Sequence, residues 1–446
     1  MFSWQTNKSI LKAILTKKSP YYIQYYITGR CNLMCRQCNI VETNSRIAEM
    51  DIDMVRRAAK NLRKIGAGIV LLTGGEPFMR KDLPQIVEAF VSNGMNVRLQ
   101  TAGTRFATEE QLQACYDAGA RDINVSIDSL EFEKFDYINA VPGSAKNAIE
   151  TLERISKIFR RQSSILSFGT VMSRFNYREI PAIVDFAQRI GWYVSIVPVH
   201  IAPVEMPKGF RSYDRLFNFH TDEYAELDSV SNQLKAMKRA GAPIFDSERF
   251  IESSVSFLKG NGPTWRKDGV CDSPNLYFAI RPNGAMSTCC DYTLAEPPMV
   301  YDDQFVGLYK SGKIQARGDV QDIIKNCGGC HYGSYPEVTL SVRDPRALAE
   351  RVWLVLKSGR GQLSQSPVQE NFVAEVERVR AAHPKIYPST QWSAQEIQDI
   401  VSMWTQAEGR KAILAKDREE RAAQNRQRGV GPDVQIGAEA KRRESV

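Results

Sequence analysis

Between residues 22 and 199 the chain alternates short β-branched or aromatic runs with amphipathic segments of helical period. The expected strands are 22–27, 69–72, 96–101, 123–128, 166–172 and 194–199. Expected helices lie between them at 54–64, 83–93, 109–118, 145–160 and 178–190, with Gly66, Gly94, Gly119 and Gly191 as stop signals. Each strand must return through a crossover helix, so the six units predict a parallel sheet. Six units rather than eight predict an α/β fold built on a partial, open (β/α)6 TIM-like barrel. Chemistry in parallel barrels collects at the C-terminal ends of the strands.

Two motifs sit at such ends. Cys31-Asn-Leu-Met-Cys35-Arg-Gln-Cys38 follows the first strand, and Gly74-Gly75-Glu76-Pro77 follows the second. Three thiols within eight residues are the donor set of a metal or iron–sulfur site. A structural zinc site wants four protein ligands; three leave one iron of a 4Fe–4S cube open. Adjacent glycines allow close backbone approach, because no side chain intervenes. A lone CxxxCxxC also fits half a zinc knuckle, and a lone Gly-Gly-Glu-Pro an ordinary strand end.

Together and in this order, the motifs resemble those of the radical S-adenosylmethionine (radical SAM) enzymes. The resemblance implies a 4Fe–4S cluster on Cys31, Cys35 and Cys38 whose open iron chelates SAM. Gly74, Gly75, Glu76 and Pro77 then hold the methionine end. One electron cleaves SAM to a 5′-deoxyadenosyl radical, which abstracts a substrate hydrogen. It further implies that Ser126 and Asp128, ending the fourth strand, lie near the SAM ribose, and that Ser173 and Arg174, after the fifth, make polar contacts to SAM. Two positions depart from the family. Gln37 stands where an aromatic residue usually precedes the last cysteine, and Gln100-Thr101-Ala102-Gly103 replaces a Thr-Asn-Gly sequence, so no role is assigned there.

A second cysteine set follows. Residues 276–281 and 285–288 read as a hairpin turning at Pro282-Asn283-Gly284, which returns Cys271 and Cys289 to one place. Cys327-Gly-Gly-Cys330 follows, and four thiolates make a closed site. The pattern resembles the twitch domain, the shorter relative of the SPASM domain. That implies an auxiliary 4Fe–4S cluster on Cys271, Cys289, Cys327 and Cys330. Cys290 is an alternative to Cys289, and a four-cysteine zinc site is an alternative to the cluster.

The remaining readings concern organisation. At 446 residues the chain can hold two or three domains. The expected division is 1–20 extension, 21–240 barrel, 241–265 helical linker, 266–335 auxiliary domain, 336–416 helical region and 417–446 a polar, disordered tail. Helices are expected at 221–240, 247–259, 346–357, 368–382 and 394–416. Nine cysteines in metal-like spacings, with no signal-peptide pattern, read as reduced ligands in a cytoplasmic protein. No apolar stretch is long enough to span a bilayer. The net charge of +8 comes partly from an interleaved tail, which does not call for nucleic acid. About twenty residues precede the first strand, which argues against a leader-recognition domain.

The expected function is hydrogen abstraction from a small organic substrate, leading to oxidation with the auxiliary cluster as electron acceptor and a flavodoxin or ferredoxin as electron donor. His200, Asp291 and His331 are the candidate bases. The alternatives are radical modification of a peptide or protein side chain and, from another class, a non-catalytic iron–sulfur or zinc scaffold.

Overall fold

The computed structural model describes residues 2–387 apart from 36, 39, 41–43, 45–46, 160–163, 200–218, 220, 262–270, 291, 293, 327–329, 332–333 and 360–370. His200, Asp291, Cys327, the helix expected at 394–416 and the expected tail therefore lie outside the described residues.

The strands are β1 (Tyr22–Thr28), β2 (Ile69–Gly74), β3 (Asn96–Thr101), β4 (Asp122–Ser126), β5 (Ile165–Met172), β6 (Tyr193–Pro198), β7 (Tyr277–Ile280) and β8 (Met286–Ser287). Helix α1 (Trp4–Thr16) precedes them; α2 (Ile52–Ile65), α3 (Leu83–Val91), α4 (Glu109–Asp117), α5 (Phe132–Asn139), α6 (Ser144–Ile158) and α7 (Ile180–Ile190) lie between barrel strands. After β6 come α8 (Tyr224–Arg239), α9 (Glu248–Leu258), α10 (Phe305–Lys310), α11 (Gly318–Asn326), α12 (Tyr335–Arg343), α13 (Pro345–Gly359) and α14 (Phe372–Ala382).

Strands β1 to β6 are parallel neighbours in chain order, forming the open sheet that their alternation with helices demands. Helix α2 shows the local logic. Asp51 caps its first turn by accepting from the Met54 N–H, and Gly66, at φ 110°, ends it. Its buried face is Val55, Ala58, Ala59, Leu62 and Ile65, an i, i+3, i+4, i+7 stripe laid on the sheet.

The expected hairpin is present, with β7 and β8 paired on either side of the turn at 282–284. Strand β7 pairs in parallel with the free edge of β1, and β8 pairs antiparallel with β7, so the hairpin continues the barrel's sheet. An open barrel leaves the outer N–H and C=O groups of β1 unpaired, and β7 supplies their partners.

Helices α1 and α5 were not legible as helices. Trp4, Leu11 and Leu15 of α1 are exposed, which blurs its apolar periodicity, while Lys134 of α5 is buried in an ion pair with Glu179 and Glu131. The helix expected at 346–357 carries an apolar run at 352–356. In that run Leu354 is buried, while Val352 and Trp353 are 50% and 61% exposed. No described helix is long and apolar enough to cross a membrane.

Candidate functional site

The cysteine loop and the glycine turn are built on each other. Beyond Tyr26, β1 bulges against β2, and the two exits run side by side. Gly75 N donates to Thr28 O at 2.9 Å and Glu76 N to Arg30 O at 2.8 Å. A Cβ on Gly74 would lie 2.3 Å from Thr28 O, and one on Gly75 would lie 2.0 Å from Arg30 O and 3.0 Å from the Cys31 Cβ. The absent side chains therefore let one backbone lie on the other, fixing where Cys31 leaves the sheet.

A cavity of about 250 Å³ opens above the C-terminal strand ends. Cys31, Cys35 and Cys38, Gly74 and Gly75, and Ser126 and Asp128 all line it. Cys35 is held from behind, its Sγ donating to Asn139 Oδ1 at 3.2 Å while Met34 N bonds Asn139 O. Burial, reinforced by Cys38 and Cys31, pushes the Cys35 thiol well above the usual range. A positively charged group at this spot is what allows such thiols to ionise together.

Asp128 is buried, and each of its carboxyl oxygens accepts one hydrogen bond. Its Oδ1 accepts from Val171 N at 2.7 Å and its Oδ2 from Gln37 Nε2 at 2.7 Å. Burial pushes its carboxyl up to about 7. Gln37, the residue that departs from the family pattern, thus ties the cysteine loop to the segment that follows β4.

Other expected residues lie elsewhere. Glu76 is fully buried behind the cavity, accepting from Thr101 Oγ1 and from Ala102 N and Phe78 N, and burial pushes its carboxyl up to about 7. Pro77 starts the short 3-10 turn beside it. Ser173 is buried in its own loop, where its backbone N–H and hydroxyl meet Asn176 Oδ1. Arg174 grips both carboxylate oxygens of Glu223 at 2.8 and 2.9 Å, away from the cavity lining.

Of the base candidates, the structure describes His331, which lines the cavity from above. It is fully buried between Phe250 and Phe257, and among the described residues neither ring nitrogen has a hydrogen-bond partner. Burial pushes its imidazole down to about 3, so at pH 7 it is a neutral ring able to donate or accept one hydrogen bond.

Cys271, Cys289 and Cys290 pack against one buried cluster that includes Tyr277 and Tyr335, whose rings stack 4.3 Å apart. Cys271 Sγ lies 3.3 Å from Tyr277 Oη, and Cys290 Sγ lies 3.6 Å from Tyr335 Oη and 3.5 Å from Gln24 Oε1. Gln24 also lines the cavity, so Cys290 reaches toward it from the auxiliary side. Cys330 is part-exposed; Cys115 is a core residue of α4. Among the described residues, no three His, Cys, Asp or Glu side chains converge on a single metal ion. Sequence reasoning missed Thr101, Asn139 and Ser334. Thr101 sits in the segment given no role, Asn139 ends an unrecognised helix, and nothing local marks Ser334.

Residues 25–187 match the radical SAM superfamily model. Over 249 residues the chain is 31% identical to a GTP 3′,8-cyclase of Syntrophomonas wolfei, covering 53% of this chain and 72% of the relative. The chain belongs to the radical SAM superfamily. As a radical SAM protein it is also 30% identical over 181 residues to the AdoMet-dependent heme synthase of Methanosarcina barkeri, covering 40% of the chain and 50% of that relative. Across the curated relatives it matches, this radical SAM chain spans about half of their length, from 36% to 72% in those compared. Its fold resembles that of Streptococcus suis SuiB in complex with the precursor peptide SuiA, at a TM-score of 0.52 and 13% identity, covering 70% of each chain. Membership implies an enzyme that uses SAM and a 4Fe–4S cluster, and three thiols facing one cavity suit such a cluster as a donor set.

Proposed function

We propose that the chain is a radical SAM oxidoreductase acting on a small organic molecule held in the upper cavity. One observation carries this reading: Cys31, Cys35 and Cys38, the Gly74–Gly75 edge, Ser126, Asp128 and His331 all face the same space of about 250 Å³. The three thiols hold the SAM-binding cluster. When bound, that cluster supplies the electron for reductive cleavage of SAM. The glycine edge leaves room for the methionine end, and Ser126 and Asp128 offer hydroxyl and carboxyl groups to the ribose. Leu33, Met34, Val171, Val197 and Val199 give the substrate apolar walls that exclude water. His331 presents the substrate with a neutral hydrogen-bonding edge.

Cys271, Cys330 and either Cys289 or Cys290, together with Cys327, form the proposed auxiliary site. A cluster there, when bound, supplies an acceptor for the second electron of an oxidation. The contact from Cys290 through Gln24 to the cavity supports this placement.

The test is SAM cleavage. Reconstituted with iron and sulfide and reduced with dithionite under anaerobic conditions, the protein is expected to release 5′-deoxyadenosine. Retained iron without SAM cleavage overturns the reading in favour of a scaffold protein. Accelerated cleavage with a peptide, and with no small molecule, overturns the small-substrate assignment.

The Gln37 bridge makes a finer prediction. Gln37→Ala leaves Asp128 with the Val171 N–H as its remaining tie, and a hydrogen bond to a charged group contributes about 1.5–3 kcal/mol. The expected result is about a tenfold rise in KM for SAM with bound iron unchanged, measured by kinetics and iron analysis.

A further inference from the structure

A second cavity, of about 340 Å³, lies at the opposite end of the barrel. Tyr22, Ile69, Asp122 and Ile165, the first residues of four strands, form its inner end, and α1, α12 and α13 close its sides with apolar side chains. Ser334 lines both cavities and accepts from Tyr22 Oη at 3.0 Å.

The polar groups of this chamber are unequally satisfied. Asp246 accepts from Ser195 Oγ and Ile196 N, and Asp122 is bonded by the Ile165 backbone. Glu337 pairs with Arg351 at 2.9 Å and accepts from Ser247 Oγ at 3.1 Å. Arg98 is different. It donates one hydrogen bond, to Ser167 Oγ at 2.9 Å, lies 5.2 Å from the Phe245 ring, and has no ion-pair partner among the described residues. Arg98 is part-buried and lies on β3 beside Asp122 of β4, and its remaining N–H groups are open to an acceptor-bearing ligand. Its planar fork suits a carboxylate, and the three nearby carboxylates disfavour a more highly charged anion.

The surface around the opening points the same way. The large apolar side chains exposed among the described residues are Trp4, Leu11 and Leu15 of α1 and Val352 and Trp353 of α13, the two helices that border this cavity.

We propose that the lower cavity binds a small amphipathic acid, its carboxylate on Arg98 and an apolar body of on the order of a dozen non-hydrogen atoms along α1, α12 and α13. The proposal does not rest on the reading of the upper cavity, since binding here needs neither cluster nor SAM.

The experiment is calorimetric titration of the full chain with decanoate, and with decan-1-ol and decylamine as head-group controls. Saturable one-to-one binding of decanoate is expected, at least tenfold tighter than either control. Arg98→Leu is expected to weaken decanoate binding at least tenfold. Val352→Asp, at a half-exposed position on the rim, is expected to weaken it by electrostatic repulsion. If Arg98→Leu melts well below wild type, Val352→Asp and the head-group comparison decide. Absence of saturable binding, equal binding of the alcohol, or unchanged affinity in whichever variants fold overturns the proposal.

Discussion

Cys35→Ala is expected to reduce 5′-deoxyadenosine formation to background and to cost the reconstituted protein its broad visible iron–sulfur absorption. Cys35 is backed by Asn139 and lifted in pKa by burial and by its two neighbours. A thiol so situated gains little from being ionised unless a cation lies against it. Its removal therefore takes away a ligand and leaves a buried gap facing the cavity. Cys115→Ala is the control, because Cys115 is buried in the apolar core and touches no part of the site. That variant is expected to lose some stability but to keep iron and cleavage. Wild-type cleavage in Cys35→Ala contradicts the assignment of the loop thiols.

Gly75→Ala is expected to be the most damaging substitution of a single hydrogen by a methyl group. The new Cβ would sit 2.0 Å from the carbonyl oxygen of Arg30, a backbone atom that cannot swing aside as a side-chain tip can. Relief requires moving the β1 exit, and with it Cys31. Overpacking of this kind costs about 1–3 kcal/mol, and the displacement is expected to lower SAM cleavage by at least tenfold because catalytic geometry tolerates little error. Gly307→Ala supplies the comparison: it lies in α10 with nothing within 4 Å of its would-be Cβ. Melting temperatures and 5′-deoxyadenosine yields of the two variants check both parts. Equal behaviour of the two rules out the clamp between glycine turn and cysteine loop.

The roles of the two glycines show how far local sequence can be read. Their adjacency at a strand end signals a close backbone approach, and the approach is there. Its nearest partner is the chain's own Arg30–Cys31 segment, which belongs to the preceding strand exit in sequence but lies beside it in the sheet. Glu76 shows the same limit from the other side. Nothing beside the glycines announces that its carboxyl group bonds Thr101 and the Ala102 N–H at the end of β3. Gln37 and Asp128 are ninety-one positions apart, and nothing near either one announces their hydrogen bond.

What the sequence determined by itself is the layered framework: six parallel strands, their crossover helices, and the delivery of the cysteine and glycine motifs to one end of the sheet. Those features follow from periodicities and turn signals that act over a few residues, where side-chain alternation and capping operate. What the tertiary structure decided is everything that joins distant segments. It placed β7 on the free edge of β1, brought His331 over a cavity whose thiols lie some three hundred positions earlier, and opened a second chamber beneath the strands. Such contacts depend on which edges and faces remain unpaired after the local elements have formed. That is a property of the packed chain and has no signature in any short stretch of it.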